Sequence, residues 1–393
     1  MRFVDESDEW DSFKLGDVLD KKGYIRGPFG SALKRGEMKT EGIPVYEQQH
    51  AIYDNRLFRY YIDDNKFEEL KRFQVIPNDL IVSCSGTIGK TSLIRENDEK
   101  GIISQALLIL RSNSKIIEPK FLKYFLETNK GYNSLISSAG GSSQVNIAKK
   151  QIILDIPLVV PTLPTQHKII NFLDKISYKI ELLEHKYEKY QDFKKYLMQQ
   201  IFTQKLRFAN FTEEWKTVKI KDIFDERSEK GFSDLELLSV TLNDGVIKRS
   251  EIESKDNSNE NKSNYKHVLP DDIVYNSMRM WQGASGVSSY EGIVSPAYTI
   301  LIPKNAYSKF FGYYFKTNEM IHQFKKYSQG LTSDTWNLKY PLISEIKIKI
   351  PSIDEQKEIT NVFETIDLKT KILQNNLEEV MTFKKGLLQQ MFV

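Results

Sequence analysis

One glycine-ended stretch combines side-chain types that recognise bases in double-stranded DNA. The sequence YNSMRMWQGASG contains Asn276, Arg279 and Gln282 within seven residues. The paired donors and acceptors of Asn, Gln and Arg match the adenine and guanine edges in the major groove. Met278 and Trp281 allow two interpretations, core packing or contact with sugars and thymine methyl groups. Core packing explains the three polar residues less well, so we interpret the stretch as a binding loop.

Polar clusters of the same kind occur in both halves of the chain. The sequences are YIRGPFGSALK at 24–34, EQQH at 47–50, a glycine turn at 86–90, GSSQVN at 141–146 and TSDTWN at 332–337. Such residues can contact phosphates or bases, but they are equally good turn formers. The predicted DNA-binding residues are Arg26, Lys34, Gln48, Gln49, Ser85, Thr87, Lys90, Ser142, Ser143, Gln144, Asn276, Arg279, Trp281, Gln282, Ser333, Thr335 and Asn337.

The sequence contains partial matches to catalytic motifs but no complete one. SGTIGKT at 85–91 resembles a phosphate-binding loop, but that motif requires glycine where Cys84 stands. A strand followed by a glycine turn, whose backbone and Lys90 can approach a phosphate, is the better interpretation. Acidic-x-Lys pairs such as Asp98/Lys100 lack a well-placed partner carboxylate, and the sequence contains no Pro-Pro, no glycine-rich cofactor fingerprint and no Gly-x-Ser-x-Gly. We therefore expect no catalysis by this chain alone.

The amino-acid composition narrows the classes of protein to which the chain can belong. Cys84 is the only cysteine and the five histidines are scattered, so we expect no disulfide, no metal and no cofactor. A net charge of +3 with a pI near 8.5 permits nucleic-acid binding. Domains that bind DNA alone often have a pI above about 9, so a partner should supply part of the phosphate contact. The N-terminus does not resemble a signal peptide and no apolar run could span a membrane, which predicts a cytoplasmic protein.

The chain is a tandem repeat. FKKYLMQQIF at 193–202 returns as FKKGLLQQMF at 383–392, and the match extends back without a gap at an offset of 190 residues. The upstream correspondences, at changing offsets, include Trp10 with Trp215, Asp79 with Asp272, and Thr128-Asn129 with Thr317-Asn318. A period this long indicates domain duplication, because solenoid repeats have periods of about 20–50 residues.

Each copy ends in a predicted long helix, at about 165–203 and 354–392. Apolar residues recur at alternating steps of three and four, and a 3.5-residue seam over about five heptads is typical of a coiled coil. The seams comprise Ile169, Leu173, Ile176, Ile180, Leu183, Tyr187, Tyr190, Lys194, Leu197 and Ile201, and Ile359, Phe363, Ile366, Thr370, Leu373, Leu377, Val380, Lys384, Leu387 and Met391. We expect the two helices to pair antiparallel, each about 57 Å long at 38 residues, and to act as a spacer.

Lys194 and Lys384 interrupt the two seams at the same step. They either extend into water near the end of the seam, or they fix the register or contact a partner subunit.

The globular parts are predicted as two α+β domains of the same plan. Strands are expected at Pro44–Glu47, Leu80–Ser83 and Ala106–Leu110, then at Asp272–Tyr275 and Thr299–Ile302; helices are expected at Pro119–Asn129 and Lys309–Tyr327. The predicted fold class is therefore α+β, with two homologous mixed domains in tandem separated by long helices. The predicted divisions are 1–160, 161–205, 206–350 and 351–393.

Several motifs together resemble the specificity subunit of type I restriction-modification enzymes. They are the helix entries PTLPTQHKI and PSIDEQKEI, the FKKxLxQQxF helix ends, GPFGSALK, DLIVSCSGTIGK, and NSMRMWQGASG followed by IVSPAY. The resemblance covers essentially the whole chain.

That resemblance implies two target-recognition domains, each binding one half of a split DNA sequence, with a coiled coil that sets the gap. It also implies assembly with two modification subunits, which bind S-adenosylmethionine and methylate adenine, and with ATP-dependent restriction subunits that cut DNA. Two alternatives remain from the residues alone: a duplicated coiled-coil scaffold that binds proteins without reading DNA, and a stand-alone nuclease, which the missing catalytic residues disfavour.

Overall fold

The duplication in the sequence is also a duplication of the fold. A computed structural model describes residues 10–136, 147, 149–242, 244–253, 258, 261–332 and 335–392. The chain divides into two compact units: unit 1 comprises Met1–Glu184 and Asn375–Val393, and unit 2 comprises His185–Gln374. Each unit therefore contains one mixed α/β region, part of the helix that follows it and part of the other long helix.

The two copies share the order of their later elements, from the inner strand of the central sheet to the long helix, but differ before it, where two short helices of the first copy have no counterpart in the described part of the second. The first copy contains β1 (Asp11–Lys14), β2 (Leu19–Arg26), β3 (Ile43–Tyr46), α1 (Gln48–Tyr53), β4 (Tyr61–Ile62), α2 (Asp64–Glu69), β5 (Leu80–Ser83), β6 (Thr91–Leu93), β7 (Ile102–Ile103), β8 (Leu107–Ser112), α3 (Pro119–Glu127), α4 (Asn129–Ile136), α5 (Lys150–Leu154), β9 (Pro157–Val160) and α6 (Leu163–Phe202). The second contains β10 (Lys216–Lys219), α7 (Ile220–Ile223), β11 (Phe224–Glu226), β12 (Leu238–Thr241), β13 (Gly245–Lys248), β14 (Lys266–Val268), β15 (Ile273–Asn276), β16 (Ser285–Val287), β17 (Gly292–Val294), β18 (Tyr298–Pro303), α8 (Ser308–Tyr314), α9 (Asn318–Tyr327), α10 (Tyr340–Ile343), β19 (Lys347–Ile350) and α11 (Ile353–Met391).

Equivalent four-stranded antiparallel sheets form the centre of each unit. Their strand orders are β2-β8-β5-β6 in unit 1 and β11-β18-β15-β16 in unit 2. The inner strands β5 and β15 are almost fully buried, as their continuous apolar sequences require. A separate two-stranded pair, β1 with β9 and β10 with β19, leads into the long helix of each copy. Both units therefore present the inner-strand hairpin, β5–β6 or β15–β16, in the same topological place.

A buried ion pair fixes the start of each inner strand. Asp79 is completely buried and pairs with Arg111 at 2.7 Å, while Asp272 pairs with Arg227 at 2.7 Å. One carboxylate oxygen of each aspartate also accepts a backbone N–H three residues earlier, at 2.9 and 2.8 Å. The residue before each aspartate, Asn or Asp, adopts the left-handed conformation of a tight turn. The repeated Asp therefore has a structural role in both copies.

The two long helices run antiparallel within each unit. In unit 1, the early α6 residues Ile169 and Leu173 share a core with the late α11 residues Leu387 and Met391. In unit 2 the polarity is the same: late residues of α6 pack with early residues of α11. The unit 2 core contains Leu197, Ile201 and Phe202 from α6, and Ile359, Phe363 and Ile366 from α11. The antiparallel packing predicted from the seams is confirmed inside each unit.

Burial along both helices follows the predicted seam. Every seam residue named above is buried or half-buried. The polar seam residue Thr370 is 7% exposed and donates its hydroxyl proton to the Ile366 carbonyl at 2.8 Å, which satisfies it inside its own helix. The helices begin and end within two residues of the predicted limits.

The helix predicted at Pro119–Asn129 exists as α3, which ends two residues earlier, but the single helix predicted at Lys309–Tyr327 was wrong, because that region contains two helices. Thr128 and Thr317 leave the helical conformation, with ψ near 159° and 151°, and cap the helix that follows. The hydroxyl of Thr128 accepts the Gly131 N–H at 3.0 Å, and that of Thr317 accepts the Met320 N–H at 3.4 Å. A threonine cap interrupts the helix without any Gly or Pro to signal the break. The predicted strands all exist; Leu80–Ser83 has the predicted ends, and the ends of the others are shifted by one or two residues.

Candidate nucleic-acid interface

The hairpin between β15 and β16 presents the polar residues predicted in unit 2. Met280 is completely buried and holds a single helical turn, Met280–Gln282, against the core. Gly283 then adopts the left-handed conformation at φ 86°, which lets the chain return into β16. The loop is therefore anchored at its centre while the residues on either side of Met280 face outward.

Arg279 and Gln282 are exposed on this hairpin, and Asn276 is half-buried at its base. Asn276 Oδ1 accepts the Met278 N–H at 3.0 Å, which orders the turn. Met278 is 43% exposed and Trp281 half-buried, so Met280 supplies the core contact that was considered for Met278 and Trp281. An exposed guanidinium and an exposed amide on a turn that the buried Met280 and the Asn276 hydrogen bond hold in place can reach a major-groove base edge.

Two tryptophans connect this hairpin to the polar loop at 328–337. The rings of Trp281 and Trp336 pack edge to face, with their centroids 5.3 Å apart. The indole N–H of Trp281 donates to the Met278 carbonyl at 3.1 Å. The Lys325 ammonium lies 5.5 Å from the Trp336 ring centre. Backbone pairing continues the link, because Leu338 N–H donates to the Ser277 carbonyl at 2.8 Å. Aromatic, cationic and amide groups thus share one surface.

The other residues predicted to bind DNA in this loop either have local structural roles or lie outside the described residues. Thr335 bonds through its hydroxyl to the backbone of Thr332, as a turn residue does. Asn337 pairs through its backbone with Gln329, and its side-chain Oδ1 is buried without a hydrogen-bond partner among the described residues. Ser333 lies outside the described residues. Trp336 and Lys325 were not predicted, although a tryptophan inside a polar loop is the signal that indicated Trp281.

The hairpin between β5 and β6 occupies the same place in unit 1. Gly86 and Gly89 adopt left-handed conformations, and the Ser83 hydroxyl donates to the Thr87 carbonyl at 2.6 Å while accepting the Lys90 N–H at 2.9 Å. Thr87 and Lys90 are exposed and Ser85 is half-buried. The predicted glycine turn therefore exists, and its tip presents a hydroxyl and an ammonium group.

The glutamines and the arginine predicted in unit 1 bond to the main chain. Gln48 donates to the Ser85 and Thr87 carbonyls, so it supports the hairpin from α1. Gln49 donates to the Leu57 carbonyl at 3.0 Å, and Arg26 donates to the Leu107 carbonyl at 3.0 Å.

Lys34 is exposed. Ser142, Ser143 and Gln144 lie outside the described residues. They lead to Ile147, whose N–H donates to the Cys84 carbonyl at 3.2 Å, just as Leu338 donates to Ser277 in unit 2.

Neither the β5–β6 hairpin nor the β15–β16 hairpin, both described in full, carries a cluster of reactive or metal-binding side chains. Burial raises the pKa of the Cys84 thiol to about 12, so this thiol stays protonated at neutral pH. Among the described residues, no His, Cys, Asp and Glu side chains are grouped so that they could hold a metal ion. None of the helices in the described ranges is long and apolar enough to cross a membrane.

Comparison with known proteins defines the class. The family model described as the type I restriction modification DNA specificity domain matches residues 7–191 and again 212–382, so the chain belongs to that family. The type I restriction enzyme MjaVIII specificity subunit of Methanocaldococcus jannaschii is 23% identical, over 97% of this chain and 91% of the relative. The putative MjaX specificity subunit of the same organism is 24% identical, over 97% and 92%.

Two solved structures share the fold. The S subunit of a type I restriction-modification system from M. genitalium aligns over 100% of this chain and 98% of that chain, with a TM-score of 0.60 and 16% identity. The HsdS subunit from Thermoanaerobacter tengcongensis aligns over 98% and 96%, with a TM-score of 0.50 and 14% identity. Because the chain belongs to the family of type I specificity domains, it is a DNA-recognition subunit of the type I class, and the protein-interaction scaffold is not favoured.

Proposed function

We propose that the two mixed domains, within 1–160 and 206–350, are target-recognition domains that each bind one half of a split DNA sequence. The observation that carries this proposal is a repeated scaffold with different loops. The sheets, the buried aspartates Asp79 and Asp272, and the capping threonines are equivalent, whereas the hairpin tips read SGTIGK in unit 1 and SMRMWQG in unit 2. A common scaffold with different loops suits two half-sites of different sequence.

Within unit 2, Arg279 and Gln282 are the proposed base-reading residues. Both are exposed on a turn anchored by Met280, and Arg binds guanine through two parallel hydrogen bonds. Trp281 is the proposed apolar contact to sugar or thymine, and its ring packs edge to face with that of Trp336. In unit 1, Lys90 and Thr87 are the proposed phosphate contacts, because an ammonium and a hydroxyl on a glycine turn bind phosphate without reading a base.

The chain is proposed to act inside a complex that supplies the chemistry. Two modification subunits would bind S-adenosylmethionine and methylate adenine, and restriction subunits would cut. The segments 161–205 and 351–393, which contain the long helices, would hold the two recognition domains at a fixed separation and carry the modification subunits. The chain's modest net charge of +3 fits this arrangement, because partners would add phosphate contacts of their own.

Methylome sequencing tests the proposal directly. Cells with and without this gene, and with the modification subunit in both cases, should differ by one split adenine-methylated motif. A chain with its 276–282 segment replaced by that of another specificity subunit should alter one half-site only. Identical methylomes with and without the gene would contradict the proposed function, provided that the chain is shown to be present and folded.

A further inference from the structure

Two pockets on different units are built from equivalent residues. One lies wholly in unit 1 with a volume of about 490 Å³, and the other wholly in unit 2 with about 480 Å³. In each, the end of a long helix faces the start of a short helix that a threonine caps. The equivalent lining residues are Lys384, Lys385, Leu388 and Asn129 in unit 1, and Lys194, Lys195, Met198 and Asn318 in unit 2.

Both pockets are positively charged, although one lysine comes from a different element in each. Three lysines and one glutamate line each pocket. Lys316 is the third lysine in unit 2, but the equivalent position in unit 1 is Glu127. There Lys90 of the β5–β6 hairpin provides the third ammonium, and Glu127 pairs with Lys123 at 3.0 Å. The positive charge is thus the same in both copies while its sources differ.

Two of the pocket lysines, Lys384 and Lys316, are partly buried. Burial lowers the pKa of Lys384, and burial together with the neighbouring Lys194 lowers the pKa of Lys316. A half-buried ammonium is stabilised when an anion approaches it. Lys194 already has such an anion, since it pairs with Asp367 of α11. The exposed Lys195 and Lys385, at the mouths of the pockets, remain available to a second molecule.

We propose that each pocket receives an acidic side chain of a partner protein, and that the two pockets bind two copies of the same subunit. This rests on the proposed function, which requires two modification subunits. Equivalent pockets suit identical ligands, whereas the differing hairpins suit different DNA half-sites. In unit 2 a protein carboxylate fits better than a DNA phosphate, because that pocket is lined by none of the candidate interface residues at 275–286 or 328–337. The unit 1 pocket includes Lys90, which is also the proposed phosphate contact, so there the proposal rests on Lys384 and Lys385 of the long helix.

The test uses charge reversal at the two exposed lysines in the full chain, coexpressed with its own modification subunit. Lys195→Glu and Lys385→Glu should each weaken binding of one copy by roughly tenfold, and the double variant should weaken both. Native mass spectrometry and sedimentation at several salt concentrations count the bound copies. Lys115→Glu with Lys347→Glu is the control, with one exposed lysine in each unit, because these lysines line neither pocket and lie outside the segments proposed to carry the modification subunits.

Lysine labelling read by mass spectrometry gives a second measurement on the unaltered chain. Lys195 and Lys385 should be protected by the modification subunit in the absence of DNA. Two tightly bound copies on the double variant, or protection that appears only with DNA, would overturn the proposal; the second result would indicate a phosphate site. Specific DNA binding by the unaltered complex tests the proposed function separately, so either idea can fail while the other stands. If the unaltered chain forms no complex with the modification subunit, the pocket proposal is wrong, because it names that subunit as the occupant of the pockets.

Discussion

Gln166 and Gln356 show why the repeat keeps particular residues. Each lies almost completely buried near the start of a long helix, where its amide nitrogen donates to the carbonyl of the proline five residues earlier, Pro161 or Pro351, at 2.8 or 3.0 Å. The amide oxygens accept the backbone N–H of Glu118 and Tyr307 at 2.8 and 2.9 Å. One side chain thereby ties the helix start to the loop before the short helices.

Replacing Gln166 with leucine should destabilise the protein by about 2–4 kcal/mol. The change keeps the volume but leaves a buried N–H and buried carbonyls without partners, at about 1–3 kcal/mol for each unsatisfied group. Urea denaturation measures the loss. Gln191→Leu, at an exposed position of the same helix, is the control and should change stability by less than about 0.5 kcal/mol. Equal effects of the two changes would show that the hydrogen bonds of Gln166 contribute nothing.

Replacing Arg279 with alanine should weaken binding to the specific duplex by about 1–3 kcal/mol, if the side chain contacts a base through two hydrogen bonds. Fluorescence anisotropy of the assembled complex measures affinity for the specific and a random duplex. Lys347→Ala, an exposed lysine on β19, is the control. Equal losses on both duplexes would make Arg279 a phosphate contact, and no loss on either would end the claim.

At the residue scale, sequence analysis predicts side-chain chemistry better than hydrogen-bond partners. The polar types on the β15–β16 hairpin indicated a binding surface, and Arg279 and Gln282 are indeed exposed. The same types in EQQH could not be separated from turn formers. Gln48 and Gln49 bond to carbonyls 37 and eight residues away in the chain, and such non-local partners leave no pattern in the sequence.

At the scale of elements, periodicity predicted the long helices but could not assign the seam lysines. Lys194 pairs with Asp367 and lies 5.1 Å from the Tyr313 ring centre, and the Tyr313 hydroxyl donates to the same carboxylate at 2.7 Å. This contact fits the register role. Lys384 lies 5.5 Å from the Tyr124 ring centre, but the Tyr124 hydroxyl donates to Asp174, which pairs with Lys120. The two seam lysines therefore have different environments although they occupy equivalent positions in the repeat.

Methionine substitutions should separate these two environments. Lys194→Met should cost about 1 kcal/mol, since it removes an ion pair and leaves the Asp367 carboxylate beside an apolar side chain. Lys384→Met should be neutral or stabilising, because burial already lowers the pKa of this lysine and a methionine fills the same space without a charge. Thermal unfolding of both variants gives the comparison. A larger loss for Lys384→Met would refute the distinction.

At the scale of the whole molecule, each long helix begins in one unit and ends in the other. Duplication explains this exchange, because each copy ends in a helix whose apolar seam requires a partner, and the helix of the other copy supplies one. The offset of 190 residues predicted the repeat and the antiparallel packing within each unit. It could not predict which loops bind DNA, since the loops are where the two copies differ.

Lengthening a helical spacer should change the gap between half-sites and leave the half-sites unchanged. Four residues inserted near Thr203 would add about 6 Å if helical, at 1.5 Å per residue. DNA rises about 3.4 Å per base pair, so the recognised gap should grow by roughly one or two base pairs. Methylome sequencing measures both quantities, and a four-residue insertion after Asn261, in the polar loop of unit 2, is the control that should keep the gap. Changed half-sites with an unchanged gap in the Thr203 variant would show that the helices do not set the distance between two independent DNA-reading domains.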